Sequence, residues 1–402
     1  MKKTTTILGL LLSIGSVFSQ TPKLYIHIVS HNEPTDSLDK LPGTKYSNAK
    51  TKALQMASII DSKNVKWNLQ TSDGFVIGAL NYDAAGTSTT DVFEILANPP
   101  YNDNIEIDPR SKNKSGRNIA DQWYLLDSCG ANPTMTLGGF IWAVCPPALS
   151  TSIDWFQYKN PIIGNIYGNS WQCAILSGAG SLSPHCNDLN DFGIFKPLST
   201  TNFYTHDPSP TNNLWCMGVG CAPVLDSLSD EQSIIDLIQG QVDSIQNGIW
   251  PANKFYVTRI MTNQREYGPL FFQKISKVID SLNLIPSSQL QWATINETFT
   301  AFQSWQISSG LDYSQWQCGQ TITGIDEVAN VNNYIIYPNP FTNNITIDFY
   351  DEQKHRVEIV DFLGRVIYTS TVQSETTVDL SKFLNGIYLV RVDDLAEKII
   401  KH

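Results

Sequence analysis

The chain has 402 residues, which is enough for two domains that each bury a core of their own. Its formal net charge is -11, with 38 acidic side chains against 27 lysines and arginines. The sequence has no basic stripe that could neutralise phosphates, so we exclude nucleic acid as a partner.

The first nineteen residues have the layout of a secretory signal peptide. Lys2 and Lys3 form a basic start, residues 7–17 form an apolar stretch, and Ser19 precedes an expected cleavage before Gln20. The apolar stretch is too short to span a bilayer, and no later segment is long and apolar enough to do so. We therefore predict a signal peptide at residues 1–19, export through the periplasm, and no transmembrane segment.

Between residues 20 and 320, short apolar segments typical of strands alternate with segments of helical periodicity. The strand-type segments are 24–30, 66–70, 105–107, 134–142, 162–167, 172–176, 214–219, 255–260 and 291–295, and the helical ones are 48–60, 119–127, 230–246 and 271–282. This alternation indicates parallel βαβ units, so we predict an α/β fold with a (β/α) barrel that is complete, distorted or seven-stranded. An open doubly wound sheet is the alternative, although no Gly-x-Gly-x-x-Gly turn follows the first strand.

All seven cysteines lie in this large region. Export makes disulfides possible, and Cys173 with Cys186 and Cys216 with Cys221 are close enough in sequence to pair. The odd count leaves at least one thiol free. No Cys-x-x-Cys pair and no histidine-rich tract argues for structural zinc, so we expect one to three disulfides.

The character of the sequence changes after residue 320. Residues 321–333 are small and polar and are predicted to be a linker. From residue 334 onwards, short segments of alternating polarity are separated by turn residues, at 345–349, 356–360, 366–370, 376–380 and 387–392. Residues 334–402 are therefore predicted to form a small all-β, immunoglobulin-like sandwich.

Five motifs follow one another in this second region. They are Tyr-Pro-Asn-Pro-Phe at 337–341, Asp-Phe-Leu-Gly-Arg at 361–365, Asp-Leu-Ser at 379–381, Leu-Asn-Gly-Ile-Tyr-Leu-Val at 384–390 and Lys-Ile-Ile-Lys at 398–401. In this order they resemble the type A sorting domain of the type IX secretion system. A fibronectin-like or carbohydrate-binding sandwich, the alternative, lacks these motifs. The resemblance implies delivery to the outer-membrane surface or the medium, with the type IX secretion machinery as a partner.

In a parallel barrel, reactive side chains collect at the carboxyl ends of the strands, where loops and helix N-termini meet. This rule selects His31, Glu33, Asp108 and Glu297, together with the loop residue His206. All are residue types that bind a metal or transfer protons. Each also has a structural interpretation, as a rim ion pair, a turn residue or a surface side chain.

Further segments of the large region resemble a known superfamily. They are His31-Asn32-Glu33, Trp67-Asn68-Leu69-Gln70, Ile105-Glu106-Ile107-Asp108-Pro109, Asn118-Ile119-Ala120-Asp121 and Gly138-Gly139-Phe140. Over residues 23–310 they look like the glycoside hydrolase/deacetylase barrel superfamily. The resemblance implies a carbohydrate or other glycan substrate and a divalent metal, zinc or similar, on His31, Asp108 and His206. Arg110 stands where related barrels have a histidine, so the alternatives are completion by His206, a metal-free hydrolase, or lost catalysis.

Two chemistries follow if the chain is an enzyme. In a deacetylase, a metal on His31 and Asp108 polarises an acetyl carbonyl, and Glu33 or Asp108 is the base. In a glycosidase, Glu33 and Glu297 flank the scissile bond. We therefore predict a secreted or surface-displayed carbohydrate-active hydrolase, deacetylase-like or glycosidase-like. A non-catalytic surface protein on a degenerate barrel is the alternative, so enzymatic activity is left open.

Overall fold

A computed structural model of the chain describes residues 21–32, 43–83, 91–110, 116–140, 156–178, 191–199, 203–317, 334–349, 353–361, 365–393 and 395–402. The predicted signal peptide at 1–19, the linker at 321–333 and Glu33 lie outside the described residues. The chain divides into two compact units, residues 1–322 and 323–402.

The first unit alternates strands and helices. Its helices are α1 (Gly43–Ser62), α2 (Asp73–Tyr82), α3 (Val92–Leu96), α4 (Ile119–Ser128), α5 (Phe156–Lys159), α6 (Glu231–Gln246), α7 (Pro269–Leu282) and α8 (Ile295–Ser309). Its strands are β1 (Leu24–Asn32), β2 (Trp67–Thr71), β3 (Ile105–Pro109), β4 (Thr136–Phe140), β5 (Ile162–Ile163), β6 (Ser170–Trp171), β7 (Ile175–Gly178), β8 (Ile194–Phe195), β9 (Trp215–Met217), β10 (Tyr256–Asn263) and β11 (Leu290–Trp292).

Two sheets of mostly parallel strands follow one another around the first unit. The first has the order β10-β1-β2-β3, with β11 beside the start of β1, and the second has the order β4-β7-β9-β8. All pairs are parallel except β8 with β9. A bridge between Arg110 and Gly138 joins β3 to β4, and one between Val224 and Met261 reaches β10. The described strands form a curled parallel half-barrel, which agrees with the predicted α/β class, and no closed ring of strands is seen among the described residues.

The two faces of the curled sheet differ in character. Leu24, Ile26 and Ile28 of β1 belong to the main apolar cluster, together with residues of α1, α3, α6 and α7. The alternate residues of β1 face the concave side, since successive side chains point to opposite faces. The helices therefore cover the convex face, and the concave face can hold polar side chains.

The helix α8 closes the N-terminal end of the strands. Its Ile295 and Phe302 pack in one apolar cluster with Val257 of β10 and Ile175 of β7, against which Tyr25 of β1 also rests. The helix begins with a capping box between Thr294 and Glu297. The predicted strand over 291–295 is therefore too long, because β11 ends at Trp292 and helical geometry starts three residues later.

The predicted disulfides are not formed as expected. Cys129, Cys173 and Cys216 are buried and are not disulfide-bonded, which excludes both Cys173–Cys186 and Cys216–Cys221. Cys221 is disulfide-bonded, but not to Cys216.

The second unit consists of antiparallel strands alone. They are β12 (Tyr334–Tyr337), β13 (Asn344–Phe349), β14 (His355–Asp361), β15 (Val366–Val372), β16 (Thr376–Asp379), β17 (Gly386–Val392) and β18 (Leu395–Lys401). They form two sheets, β12-β13-β16 and β15-β14-β17-β18. Their buried cluster consists of aliphatic and aromatic side chains, as in a small sandwich. At its edge, the buried Lys401 Nζ donates to the carbonyl oxygens of Leu380, Ser381 and Phe383.

Candidate functional site

The concave face of the half-barrel holds a network of buried polar side chains. Asn68 and Gln70 come from β2, Glu106 and Asp108 from β3, and Arg259 from β10. In each pair the two residues are two positions apart in a strand, so they share a face. Each of the five is at least nine-tenths buried. Buried polar groups at this density must be hydrogen-bonded to one another or cost considerable stability.

Two carboxyl groups lie side by side at the centre of this network. Asp108 and Glu106 are close enough to shift each other's pKa, and a hydrogen bond between two carboxyl groups requires that one of them keeps its proton. The Asn68 Nδ2 donates to Asp108 Oδ2 at 2.6 Å and, more weakly, to Glu106 Oε1 at 3.4 Å. Thr134 donates to Asp108 Oδ1 from both its backbone nitrogen and its hydroxyl, at 3.1 and 2.6 Å.

The surroundings of the two carboxyl groups differ, and this difference determines which of the two carries the proton. Burial and the charge of Glu106 raise the pKa of Asp108 well above its usual range. Burial also raises the pKa of Glu106, but hydrogen bonds from Asn296 and Thr294 at the start of α8 oppose the rise. The Asn296 backbone N–H donates to Glu106 Oε2 at 3.2 Å, where the helix dipole favours negative charge. We therefore place the proton on Asp108 and the charge on Glu106.

Hydrogen bonds connect this pair to the carboxyl ends of the strands. The Gln70 Nε2 donates to Asn68 Oδ1 at 2.7 Å, and the Gln70 Oε1 is 3.0 Å from His31 Nε2. A Cβ at Gly138 would lie 2.2 Å from the Gln70 Cδ, so only glycine leaves room for this side chain. The path of hydrogen bonds from His31 to Glu106 is therefore continuous.

Arg259 crosses the concave face and ties the two sheets together. Its guanidinium donates to Ser177 Oγ at 2.7 Å and to the carbonyl oxygens of Gly178 and Gly218, at 2.6 and 2.9 Å. Burial lowers its pKa to about 10, which still leaves it charged at neutral pH. His27 is its neighbour in register on β1, and burial together with this positive charge lowers the pKa of His27 well below its usual range. His27 is therefore neutral, which suits a buried structural residue.

The structure separates the residues that the sequence selected. His31 lies at the carboxyl end of β1, and Asp108 is in the buried pair. Glu297 caps α8 at the opposite end of the strands, where its Oε1 is 3.2 Å from the Nζ of Lys66, the residue before β2. Glu297 therefore does not meet His31, because Lys66 and the His31 partner Gln70 lie near opposite ends of β2.

The predicted metal ligands do not form a metal site in the described residues. His206 Nδ1 accepts from the Lys196 backbone at 3.1 Å, and its ring stacks on Tyr313 with centroids 4.0 Å apart. Both oxygens of Asp108 already accept hydrogen bonds from Thr134 and Asn68. Throughout the described ranges, no group of three His, Cys, Asp or Glu side chains could hold a metal ion. The donor set does not fit a resident metal, and we derive no step through one.

Several residues of the network are not among the site residues that the sequence selects. These are Asn68, Gln70, Glu106, Ser177 and Arg259. Glu106 could have been found, because Ile-Glu-Ile-Asp at the start of β3 alternates apolar and acidic residues and so puts both acids on one face. Arg259 sits among apolar residues in a strand, and nothing in its local pattern indicates a role.

Comparison with solved structures gives distant likenesses. They include a provisionally assigned polysaccharide deacetylase from Mycobacterium smegmatis (8% identity, TM-score 0.42, 71% of this chain and 92% of that chain). A 4-alpha-glucanotransferase from Thermococcus litoralis gives 11% identity and a TM-score of 0.38, over 69% of this chain and 38% of that chain. The structure of AaCel9A in complex with cellobiose-like isofagomine gives 12% identity and a TM-score of 0.15. That match covers 17% of this chain and 14% of the AaCel9A chain. Likenesses at these scores carry no argument about activity.

A search of curated proteins finds no match to the sequence. In the part of the chain that the structure describes, no helix has the length and apolar character needed to cross a membrane. The family model for the "Secretion system C-terminal sorting domain" matches residues 335–402, the whole of the antiparallel unit except its first residues. This confirms the resemblance to the type IX sorting domain, which implies contact with the secretion machinery. The second unit is thus a secretion system C-terminal sorting domain, and the protein is exported to the cell surface or the medium.

Proposed function

We propose that the first unit is an extracellular hydrolase that acts on carbohydrate, with Glu106 as its general base and Asp108 as the residue that positions Glu106. The observation that carries the proposal is the buried carboxyl pair on β3. Pairs of carboxyl groups whose surroundings separate their pKa values are typical of sites that transfer protons.

The chemistry follows from the placement of the proton. The ionised Glu106 takes a proton from a water molecule as the water oxygen bonds to the reacting carbon. The same carboxyl group then returns that proton to the departing oxygen, so the base is restored. Asp108 keeps its own proton and holds Glu106 through the shared hydrogen bond. This series of proton transfers requires no metal, and it suits hydrolysis of an ester on a glycan, such as the ester of an acetyl group.

Two features support carbohydrate as the substrate class. The sorting domain delivers the protein to the cell surface or the medium, where polysaccharides are available. The network also presents side-chain amides next to the carboxyl pair, and amides can both donate to and accept from hydroxyl groups.

One observation favours a second candidate, a non-catalytic surface protein. Asp108 is fully buried, and each of its oxygens already accepts a hydrogen bond. A network that is satisfied in this way can serve to fix the fold alone, without any substrate.

The test compares purified full-length protein with a Glu106→Gln variant on acetylated and unacetylated glycans, measuring released acetate and reducing ends. We expect Glu106→Gln to lower turnover by at least about 100-fold, because general base catalysis contributes on that scale. The control is Glu231→Gln, at the solvent-facing start of α6, with turnover unchanged. No turnover by the unmodified protein on any glycan would favour the non-catalytic protein, whereas equal turnover by Glu106→Gln would contradict the role of Glu106 as the general base.

A further inference from the structure

The wall of the half-barrel is incomplete between the two sheets. Strand β3 pairs with β2 along its whole length, from Ile105 to Pro109. On its other side, the described residues show a single bridge to β4, between Arg110, directly after β3, and Gly138, in the middle of β4. Before that bridge, no ladder joins β3 to β4 in the described residues, and we call this part of the wall the seam.

A cavity of about 480 Å³ lies at this seam. It is lined by Glu106 from β3, by Asn102, Asn132 and Thr134 from the loops before β3 and β4, and by Asn296 and Glu297 from the start of α8. Its size falls within the range of small-molecule sites, roughly 300–1,000 Å³. Glu106 is thus the member of the carboxyl pair that faces this cavity.

The lining favours a neutral ligand that carries several hydroxyl groups. Three side-chain amides and two threonine hydroxyls offer both donors and acceptors, which matches the dual character of a sugar hydroxyl. Glu297 is paired with Lys66, whereas Glu106 has no such cation beside it among the described residues, and each of its oxygens has a further lone pair that can accept a hydrogen bond. The carboxylates of Glu106, Asp103 and Glu297 would repel an anion.

We propose that this seam cavity binds a small neutral polyhydroxy molecule, of the size of a single sugar unit, with Glu106 accepting hydrogen bonds from its hydroxyls. The cavity is the entrance to the carboxyl pair, at the N-terminal ends of the strands and away from His31. The inference rests on the proposed function for the reactive role of Glu106, but binding itself requires no turnover.

The experiment measures binding of D-glucose, N-acetyl-D-glucosamine and myo-inositol to the full-length protein by saturation-transfer NMR. Ala97 lines the cavity, so the larger side chain of Ala97→Leu should narrow it. We expect Ala97→Leu to weaken binding at least about tenfold, and Asn102→Ala to weaken it by a smaller factor. The matched controls are Ala252→Leu and Asn98→Ala, both exposed and outside the cavity, with binding unchanged.

The outcomes separate this inference from the proposed function. Binding that Ala97→Leu abolishes, without turnover on any glycan, supports the cavity and contradicts the hydrolase. Turnover that survives Ala97→Leu unchanged would place the reaction elsewhere. It would overturn the proposal that the cavity is the entrance to the carboxyl pair. Folded protein that binds none of the three probes also overturns it. Folding of each variant is checked by its tryptophan emission, since all ten tryptophans lie in the first unit.

Discussion

The two units of this chain differ in the polarity of the side chains that they bury. The sorting domain fills its sandwich with aliphatic and aromatic side chains and keeps polar anchors such as Lys401 at the edge. The half-barrel places Arg259, Asp108 and Glu106 on its concave face and ties them together with amides. An apolar interior serves stability alone, whereas charged groups in the interior cost free energy unless each is satisfied. The difference supports the proposal that the half-barrel is the unit that carries the chemistry.

The largest expected effect comes from removing the buried cation of the half-barrel. Arg259→Met keeps a similar length but leaves the carbonyl oxygens of Gly178 and Gly218 without their donor. We expect the free energy of unfolding of the first unit to fall by about 4 kcal/mol, since each buried unsatisfied group costs about 1–3 kcal/mol. Urea unfolding followed by tryptophan emission measures it.

Arg391→Met, on an exposed position of β17, is the matched control for Arg259→Met and should leave the tryptophan transition unchanged. A loss below about 1 kcal/mol for Arg259→Met would show that the polar interior relaxes as easily as an apolar one, and the contrast between the two units would disappear.

In the sorting domain, the corresponding substitution leaves a cavity in the apolar core. Ile359 is fully buried on β14, so Ile359→Ala should lower the stability of the sorting domain by about 3 kcal/mol. Hydrogen exchange of residues 334–402 measures the loss, and the tryptophan transition of the first unit should not move. Ile387→Ala removes a side chain that is 52% exposed and should change little. Equal effects of the two substitutions would contradict the assigned core.

The smallest effect, and the most specific to the carboxyl pair, is a change with pH. Because the folded state raises the pKa of Asp108, the folded protein holds a proton that the unfolded chain releases near pH 4. The stability that this proton contributes is fully present below that pH. It is lost as the pH rises towards the pKa of Asp108 in the folded state. Each unit of pKa difference corresponds to about 1.4 kcal/mol.

Asp108→Asn removes this titration. Unfolding measured from pH 4 to pH 8 should show the native protein losing stability relative to Asp108→Asn as the pH rises. Asp236→Asn, on the exposed face of α6, should run parallel to the native protein throughout. A constant difference between Asp108→Asn and the native protein at all pH values would mean that Asp108 is ionised in the folded state.

Much of the fold follows from local pattern, and the reasons are visible at particular residues. The sorting domain was predictable because its strands alternate polar and apolar residues and its motifs occur in a fixed order. The first strand was equally clear, because residues 24–29, Leu-Tyr-Ile-His-Ile-Val, are rich in the β-branched and aromatic residues that favour strands. The strand at 291–295 was misjudged because the Thr294-x-x-Glu297 capping box, which marks the start of a helix, was overlooked.

The site was less predictable, because it depends on which strands become neighbours. Asp108 was selected, but its partner Glu106 was missed, although both lie on the same face of β3. The link between Gln70 and Ser177, which are 107 residues apart, exists only once β2 faces β7. The prediction that Glu297 lies at the same end as His31 is wrong, because α8 begins at the other end of the strands.

The lack of a side chain at Gly138 has a consequence for anyone redesigning this protein. It lets Gln70 fill the middle of the half-barrel, between the carboxyl pair and His31. Gln70 therefore connects the carboxyl pair to the carboxyl ends of the strands through its two hydrogen bonds. A side chain at position 138 would displace Gln70 and break the connection to His31.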